Sequence, residues 1–112
     1  MNISHKFPVL CDLDGVVWLA HEPIDGSAYA VERLRASGHR VLFVTNNSSA
    51  TVADQEAALL AVGIPAVGDV ITSAMAGAHL LSAGERVLMC GGPGLAEAIA
   101  QVGVISVSHD DV

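Results

Sequence analysis

The sequence predicts an α/β fold: a parallel sheet covered by helices on both faces, three layers in all. Three observations predict it. Short apolar runs alternate with longer amphipathic ones along the chain. The apolar runs are continuous rather than alternating, as strands buried on both faces require. Polar clusters ("DLDG", "TNNSS", "TSA" and "GGPG") follow the ends of those runs, and the carboxyl ends of strands are where open parallel sheets bind ligands.

Taken in order, Val9 to Leu13 is expected as the first strand. Gly15 to Ile24 is an irregular excursion with room for a small hairpin. "DGSAYAVERLRASGHR", Asp25 to Arg40, reads as a helix, with Ala30, Val31 and Leu34 at helical spacing and Gly38 as its stop. Arg40 to Val44 is the second strand. A helix follows from about Thr51 to Val62 and ends at Gly63. Val70 to Thr72 is a short strand, Ser73 to Ser82 a helix of small residues, and Arg86 to Cys90 another strand. "GGPG" then turns the chain into a helix from Leu95 to Val102, and Gly103 to Val107 is the last strand. No repeat, low-complexity segment or linker interrupts the pattern.

The 112 residues suffice for one domain with a real core, and 52% hydrophobic against 15% charged residues suits elements buried on both faces. No apolar run reaches the ~18 residues of a membrane span. The start of the chain lacks the apolar segment of a signal peptide, so a cytoplasmic protein is expected. A net charge of −7 with five Lys and Arg argues against a nucleic-acid surface. Cys11 and Cys90 lie in apolar runs and are expected as buried small hydrophobes in a reducing compartment. Asn2, Asn46 and Asn47 match the glycosylation sequon by accident of composition. His5, His39, His79 and His109 show no ligand spacing, and His21 and Trp18 lie in the excursion after the first strand.

Chemistry concentrates at two strand ends. Asp12 and Asp14 are two apart, so strand alternation can turn both carboxylates toward one ligand. Gly15 lets the chain turn and bring backbone N–H groups close. One aspartate can serve as nucleophile and the other as general acid and base. Two clustered carboxylates call for a cation, and Mg²⁺ suits all-oxygen ligands. After the second strand, Thr45, Asn46 and Asn47 offer hydroxyl and amide donors that hold phosphoryl oxygens without adding charge. Ser48, Ser49 or Thr51 would cap the next helix. In "GGPGLAEA", Gly92 and Gly94 fit the first two glycines of a dinucleotide loop, but Glu97 stands where the third should be, so a strand-to-helix turn is the better reading.

"CDLDGVVW" followed by "LFVTNNSS" resembles the first two motifs of the haloacid dehalogenase-like phosphohydrolases. "DLDGVVW", "TNNSS" and "DVITSA" together are similar to the subgroup of nagD-type and 4-nitrophenyl phosphatase-like enzymes. The resemblance runs from about Phe7 onward. It implies a Rossmann-like core, of which residues 1–112 would be the N-terminal portion without a cap domain. It also implies hydrolysis of a small phosphorylated metabolite with Mg²⁺ as cofactor. Asp12 would be the nucleophile and a metal ligand. Asp14 would protonate the leaving group, activate water, and bind the metal through its backbone carbonyl. Thr45 would hydrogen-bond the phosphoryl, with Asn46, Asn47 and Gly15 beside it. Asp rather than Thr at position 14 favours a hydrolase over a P-type ATPase.

The family also uses a lysine after the second motif and a late acidic motif. The one lysine here is Lys6, upstream of both motifs, and "SHDDV" from Ser108 to Val112 is a poor stand-in for the acidic motif. The chain alone is therefore expected to be weakly active or inactive. Two rivals remain: a non-catalytic module that keeps the fold, and a phospho-accepting receiver-like domain. An incomplete parallel sheet would also expose an edge and favour self-association.

Overall fold

The computed structural model describes residues 6–20 and 22–111, so Asn2, His5, His21 and Val112 lie outside the described residues. Strand β1 (Val9–Asp12) leads into a two-stranded antiparallel hairpin, β2 (Trp18–Leu19) and β3 (Glu22–Pro23). Helix α1 (Ser27–Ala36), strand β4 (Val41–Thr45), helix α2 (Val52–Ala61) and strand β5 (Val70–Thr72) follow. Helix α3 (Ser73–Ala78), strand β6 (Arg86–Leu88), helix α4 (Pro93–Gln101) and strand β7 (Ile105–Val107) complete the regular elements, with a 3₁₀ turn at His109–Asp111.

The α/β architecture with parallel strands is as expected, but the strands do not form one sheet. β1, β4 and β5 lie side by side in parallel, with Asp12 opposite Val44 and Thr45 opposite Thr72. β6 and β7 form a separate parallel pair. Each sheet has its own core. The larger gathers Leu13, Val17, Val31, Val41, Phe43, Leu59, Ile64, Ala66 and Val70. The smaller gathers Ala74, Ala78, Ala98 and Ile99 from α3 and α4, and Val104 from just before β7.

Both crossovers of the larger sheet advance in the same direction, from β1 to β4 to β5. Right-handed connections therefore place α1 and α2 on the same face, consistent with Val31 and Leu59 sharing one core. The alternating burial of β1 follows: Val9 and Cys11 are half-buried, whereas Leu10 is 67% exposed. Only β4 and β5 carry the burial on both sides that their apolar runs suggest.

The helix ends explain themselves locally. The N–H of His39 donates to Leu34 O and that of Gly38 to Arg35 O; Ile64 and Gly63 repeat the pattern on Leu59 and Leu60, and Val104 and Gly103 on Ile99 and Ala100. This is the Schellman closure, and Gly38, Gly63 and Gly103 all have the positive φ it needs. α1 is shorter than expected because Gly26, at φ 87°, occupies its N-cap. α3 is shorter because the chain closes over its end, with Leu80 N–H donating to Gly77 O. At the far side of the sheet, Arg40 and Arg35 both reach Asp69, at 3.1 and 3.5 Å, and tie the entry of β4 to that of β5.

The cysteines depart from expectation. Cys11 is half-buried, and Cys90 is exposed because β6 ends at Leu88 and the chain has already left the sheet. No described helix is long and apolar enough to cross a membrane.

Candidate active site

Thr45 is the last residue of β4 and is buried, at 3% exposure. Its side chain is held at the carboxyl edge of the central strand of the larger sheet. Its Oγ1 accepts the Asn47 N–H at 3.1 Å, which leaves the hydroxyl proton free to be donated elsewhere. Asn47 in turn accepts the N–H groups of Ser49 (3.0 Å) and Ala50 (3.3 Å) on its Oδ1. The side-chain carbonyl of Asn47 is thus spent on shaping the loop, and its amide N–H groups are the part available to a ligand. Asn46 is exposed, and its backbone carbonyl accepts the Ser73 hydroxyl at 3.2 Å.

Asp12 ends β1 and is exposed; its Oδ1 accepts the Leu13 N–H at 3.0 Å. Burying Leu13 anchors the turn between the two aspartates. Asp14 is also exposed, and its Oδ1 accepts the Trp18 Nε1–H at 3.1 Å. Gly15, at φ 84°, donates its N–H to Trp18 O at 2.7 Å and so closes the turn that brings the indole back over Asp14. The excursion after β1 is therefore a hairpin whose tryptophan is hydrogen-bonded to a candidate catalytic carboxylate.

Asp14, Trp18, Thr45 and Asn47 line one cleft of ≈ 180 Å³ together with Ala50, Asp54, Gln55 and Ala58. The structure thus joins Asp14, Thr45 and Asn47 in one cavity. Asp12 sits on the adjoining strand end, opposite Val44, and is not in the wall of that cavity; nor are Gly15 and Asn46, which neighbour Asp14 and Thr45 in the chain. Sequence reasoning missed Gln55, a buried polar residue at 5% exposure, and Asp54, both in the first turn and a half of α2. A polar pair at the start of the helix after "TNNSS" is the signal that could have found them.

The donor chemistry at the β1 end fits a hard cation. Asp12 keeps Oδ2 free, the backbone carbonyl of Asp14 adds a further oxygen at the same strand end, and Mg²⁺ is ordinarily held by one or two carboxylates with water and phosphate filling the rest. Among the described residues no third His, Cys, Asp or Glu joins them. Asp111 is turned to its own backbone, accepting the Ser108 N–H at 2.8 Å, and Asp110 pairs with His109. Lys6 lies against Gly38, at the opposite end of the sheet from the aspartates. Beside the pair, burial pushes the Cys11 thiol above its ordinary pKa, with the Asp12 charge adding to the effect. Its S–H donates to Asp12 O at 3.3 Å. A protonated thiol there is a packing residue, not a nucleophile.

The loop after β6 turns into α4, with Gly92 at the N-cap and Pro93 at the first helical position. It also docks on the loop after β4. A Cβ at Gly94 would run into the carbonyl oxygens of Ala50 and Ser48, and one at Gly92 would crowd Ser49. The glycines serve this close approach rather than a dinucleotide.

Comparison with known proteins places the chain in a family. The family model described as haloacid dehalogenase-like hydrolase matches residues 9–105. The chain is 41% identical over 101 residues to D-glycerol 3-phosphate phosphatase of Mycobacterium tuberculosis, covering 86% of this chain and 28% of that protein. It is 38% identical over 100 residues to an acid sugar phosphatase of Staphylococcus saprophyticus, covering 86% and 39%. Among solved structures, the M. tuberculosis glycerol phosphate phosphatase in complex with magnesium superimposes with a TM-score of 0.80 at 38% identity, over 92% of this chain and 32% of that one. The chain spans well under half the length of the curated relatives it matches.

Proposed function

The chain belongs to the haloacid dehalogenase-like hydrolases, in the nagD-type and 4-nitrophenyl phosphatase-like subgroup, and from that premise we propose that it supplies the phosphoryl-transfer end of a phosphomonoester hydrolase. The observation that carries the reading is the cleft in which a carboxylate (Asp14), a buried hydroxyl with a free proton (Thr45) and an amide (Asn47) converge beside the exposed carboxylate of Asp12.

In this reading Asp12 attacks the phosphorus in line and becomes the aspartyl-phosphate as the P–O bond to the leaving group breaks. Asp14 donates its proton to the departing alkoxide. The same group then takes a proton from water, which attacks the acyl phosphate and returns Asp12 and inorganic phosphate. The Thr45 hydroxyl and the Asn47 amide donate to the equatorial oxygens, where charge accumulates. Trp18 covers one side of the cleft and, through its bond to Asp14 Oδ1, orients that carboxyl group. Mg²⁺ would be held by the carboxylate of Asp12 and by Asp14, and when bound would offset the negative charge of carboxylates and phosphate. The substrate class is a small phosphorylated metabolite, as the names of the relatives suggest. A cytoplasmic setting belongs to the same proposal, resting on two free thiols, the usual state in a reducing compartment.

We further propose that the 112-residue chain by itself turns over slowly or not at all. In support, two carboxylates stand without a third ligand among the described residues, and the lysine lies at the wrong end of the sheet. The same observations favour the second reading, a module that binds phosphate without hydrolysing it. The test is Mg²⁺-dependent release of 4-nitrophenol from 4-nitrophenyl phosphate. The whole protein carrying this segment is expected to be active and Asp12→Asn to abolish activity, while the isolated chain gives little. Full activity surviving Asp12→Asn would sink the phosphatase reading. A stable phosphoryl adduct without turnover would point to a receiver, and neither adduct nor turnover to a binding module.

A further inference from the structure

The loop that carries Thr45 and Asn47 is gripped from outside the larger core. The Ser73 hydroxyl donates to Asn46 O at 3.2 Å, the Gly94 N–H donates to Ser49 O at 2.8 Å, and the Val52 N–H donates to Glu97 Oε2 at 3.1 Å. All three gripping residues stand on α3 and α4, whose neighbours Ala74, Ala78, Ala98 and Ile99 form the smaller core. Glu97 is the one ionisable side chain in the grip.

Val52 is the first residue of α2, and its N–H is one of the donors a helix start leaves without an internal partner. Thr51 already caps Asp54 N–H at 3.2 Å, and Glu97 supplies a second partner at this end from a helix 45 residues away. A carboxylate is favoured at a helix N-terminus. Among the described residues Glu97 forms no ion pair that would compete for it. From Val52 the connection to the cleft is short. Ala50 and Ser49 are held by Asn47 Oδ1, and Asn47 N–H is held by Thr45 Oγ1.

We propose that Glu97 is a positioning residue for the phosphoryl site: from α4 it fixes the start of α2 and, through the Asn47-centred loop, the direction in which Thr45 and Asn47 present their donors. The functional half of this statement rests on the phosphatase reading; the structural half does not. It also gives the smaller unit a task, since any shift of α4 against the larger core would reach the cleft through this bond.

The test is residue-resolved amide exchange on the full chain, paired with binding of two probes, Mg²⁺ alone and inorganic phosphate in the presence of Mg²⁺. In the unmodified chain the Val52 amide is expected to be protected, although a first helical amide ordinarily exchanges freely; free exchange there overturns the proposal. In Glu97→Ala, Val52 should exchange on the order of tenfold faster or more, with the Phe43 and Val44 amides of β4 unchanged. Phosphate binding should weaken about tenfold while Mg²⁺ binding stays as it was, a split that general loosening would not give. Glu97→Gln, which keeps an acceptor oxygen, should restore most of both. Wild-type phosphate affinity in Glu97→Ala overturns the proposal. If Glu97→Ala loosens β4 as well, Glu97→Gln decides, and loss of Val52 protection over an intact β4 overturns it. If the unmodified chain binds neither probe, the functional half of the proposal is overturned for this chain, and the phosphatase reading is left to the Asp12→Asn assay above. Glu97 is then judged on whether its removal shifts the Thr45 and Asn47 amide signals, and unmoved signals overturn it.

Discussion

At the scale of single residues, the site depends on which polar atoms are already committed. Thr45 Oγ1 accepts the Asn47 N–H but keeps its own proton to give. Thr45→Val preserves the shape of the side chain and removes that proton. If the proposed phosphatase activity holds, kcat is expected to fall about 10²–10³-fold, the usual effect of deleting one donor to a transition-state oxyanion. Stability should drop by only about 1 kcal/mol, for the lost partner of the Asn47 N–H. Steady-state kinetics beside urea unfolding separates the two effects, and an unchanged kcat would remove Thr45 from the proposed mechanism. The placement of Asp12, Asp14, Thr45 and Asn47 at or just after strand ends was legible in the sequence, and a parallel sheet gathers strand ends. The contacts of Glu97 and Ser73 with the segment after β4 were not, because each comes from an element whose docking is a tertiary fact. Glu97 could be seen only as the residue that spoiled a glycine pattern. The double use of Asn47, carbonyl inward to the loop and amide outward, is likewise invisible without the hydrogen bonds.

At the scale of elements, every strand and helix expected from the pattern is present, and the differences lie at the ends. Glycine stops were read well because the Schellman closure is local chemistry, as at Gly38 and Gly63. Starts were read less well. α1 begins after a left-handed Gly26 with no side-chain cap, so nothing polar marks its start. α4 begins at Pro93, two residues before Leu95, because proline suits the first helical position. α2 has a side-chain cap, Thr51, whose Oγ1 accepts the Asp54 N–H. Thr51→Ala is expected to cost ~1 kcal/mol of unfolding free energy, measurable as a shift of the urea midpoint with an unchanged slope. Because Glu97 independently holds the Val52 N–H, the helix should keep its start in this variant. Wholesale loss of α2 signals would show that the Thr51 cap, not Glu97, is what fixes that end.

At the scale of the whole molecule, the sequence pattern could not reveal that the parallel strands separate into two sheets. Apolar runs report burial, not which neighbour provides it, and Leu10 shows the limit: it sits in a continuous apolar run yet is 67% exposed. The radius of gyration is 16.6 Å and the shortest dimension 17 Å, against a radius of about 13 Å for a compact domain of this length. The molecule is a slab with two small cores, and among the described residues β1 is an edge strand paired only to β4. Leu10, 67% exposed, lies on β1, and Phe7, 73% exposed, precedes it by two residues. A flat strand with free backbone groups and apolar neighbours is a site for pairing, and from it we propose self-association through β1. Static light scattering on the chain should then show an average mass that rises with concentration. Leu10→Lys should suppress the rise, since a lysine on an edge strand opposes addition of another strand. Leu80→Lys, an equally polar change on the loop after α3, should not. If the parent chain stays monomeric to high concentration, or if the two variants behave alike, the β1 edge is not the contact, and the exposed apolar surface must be tolerated without pairing.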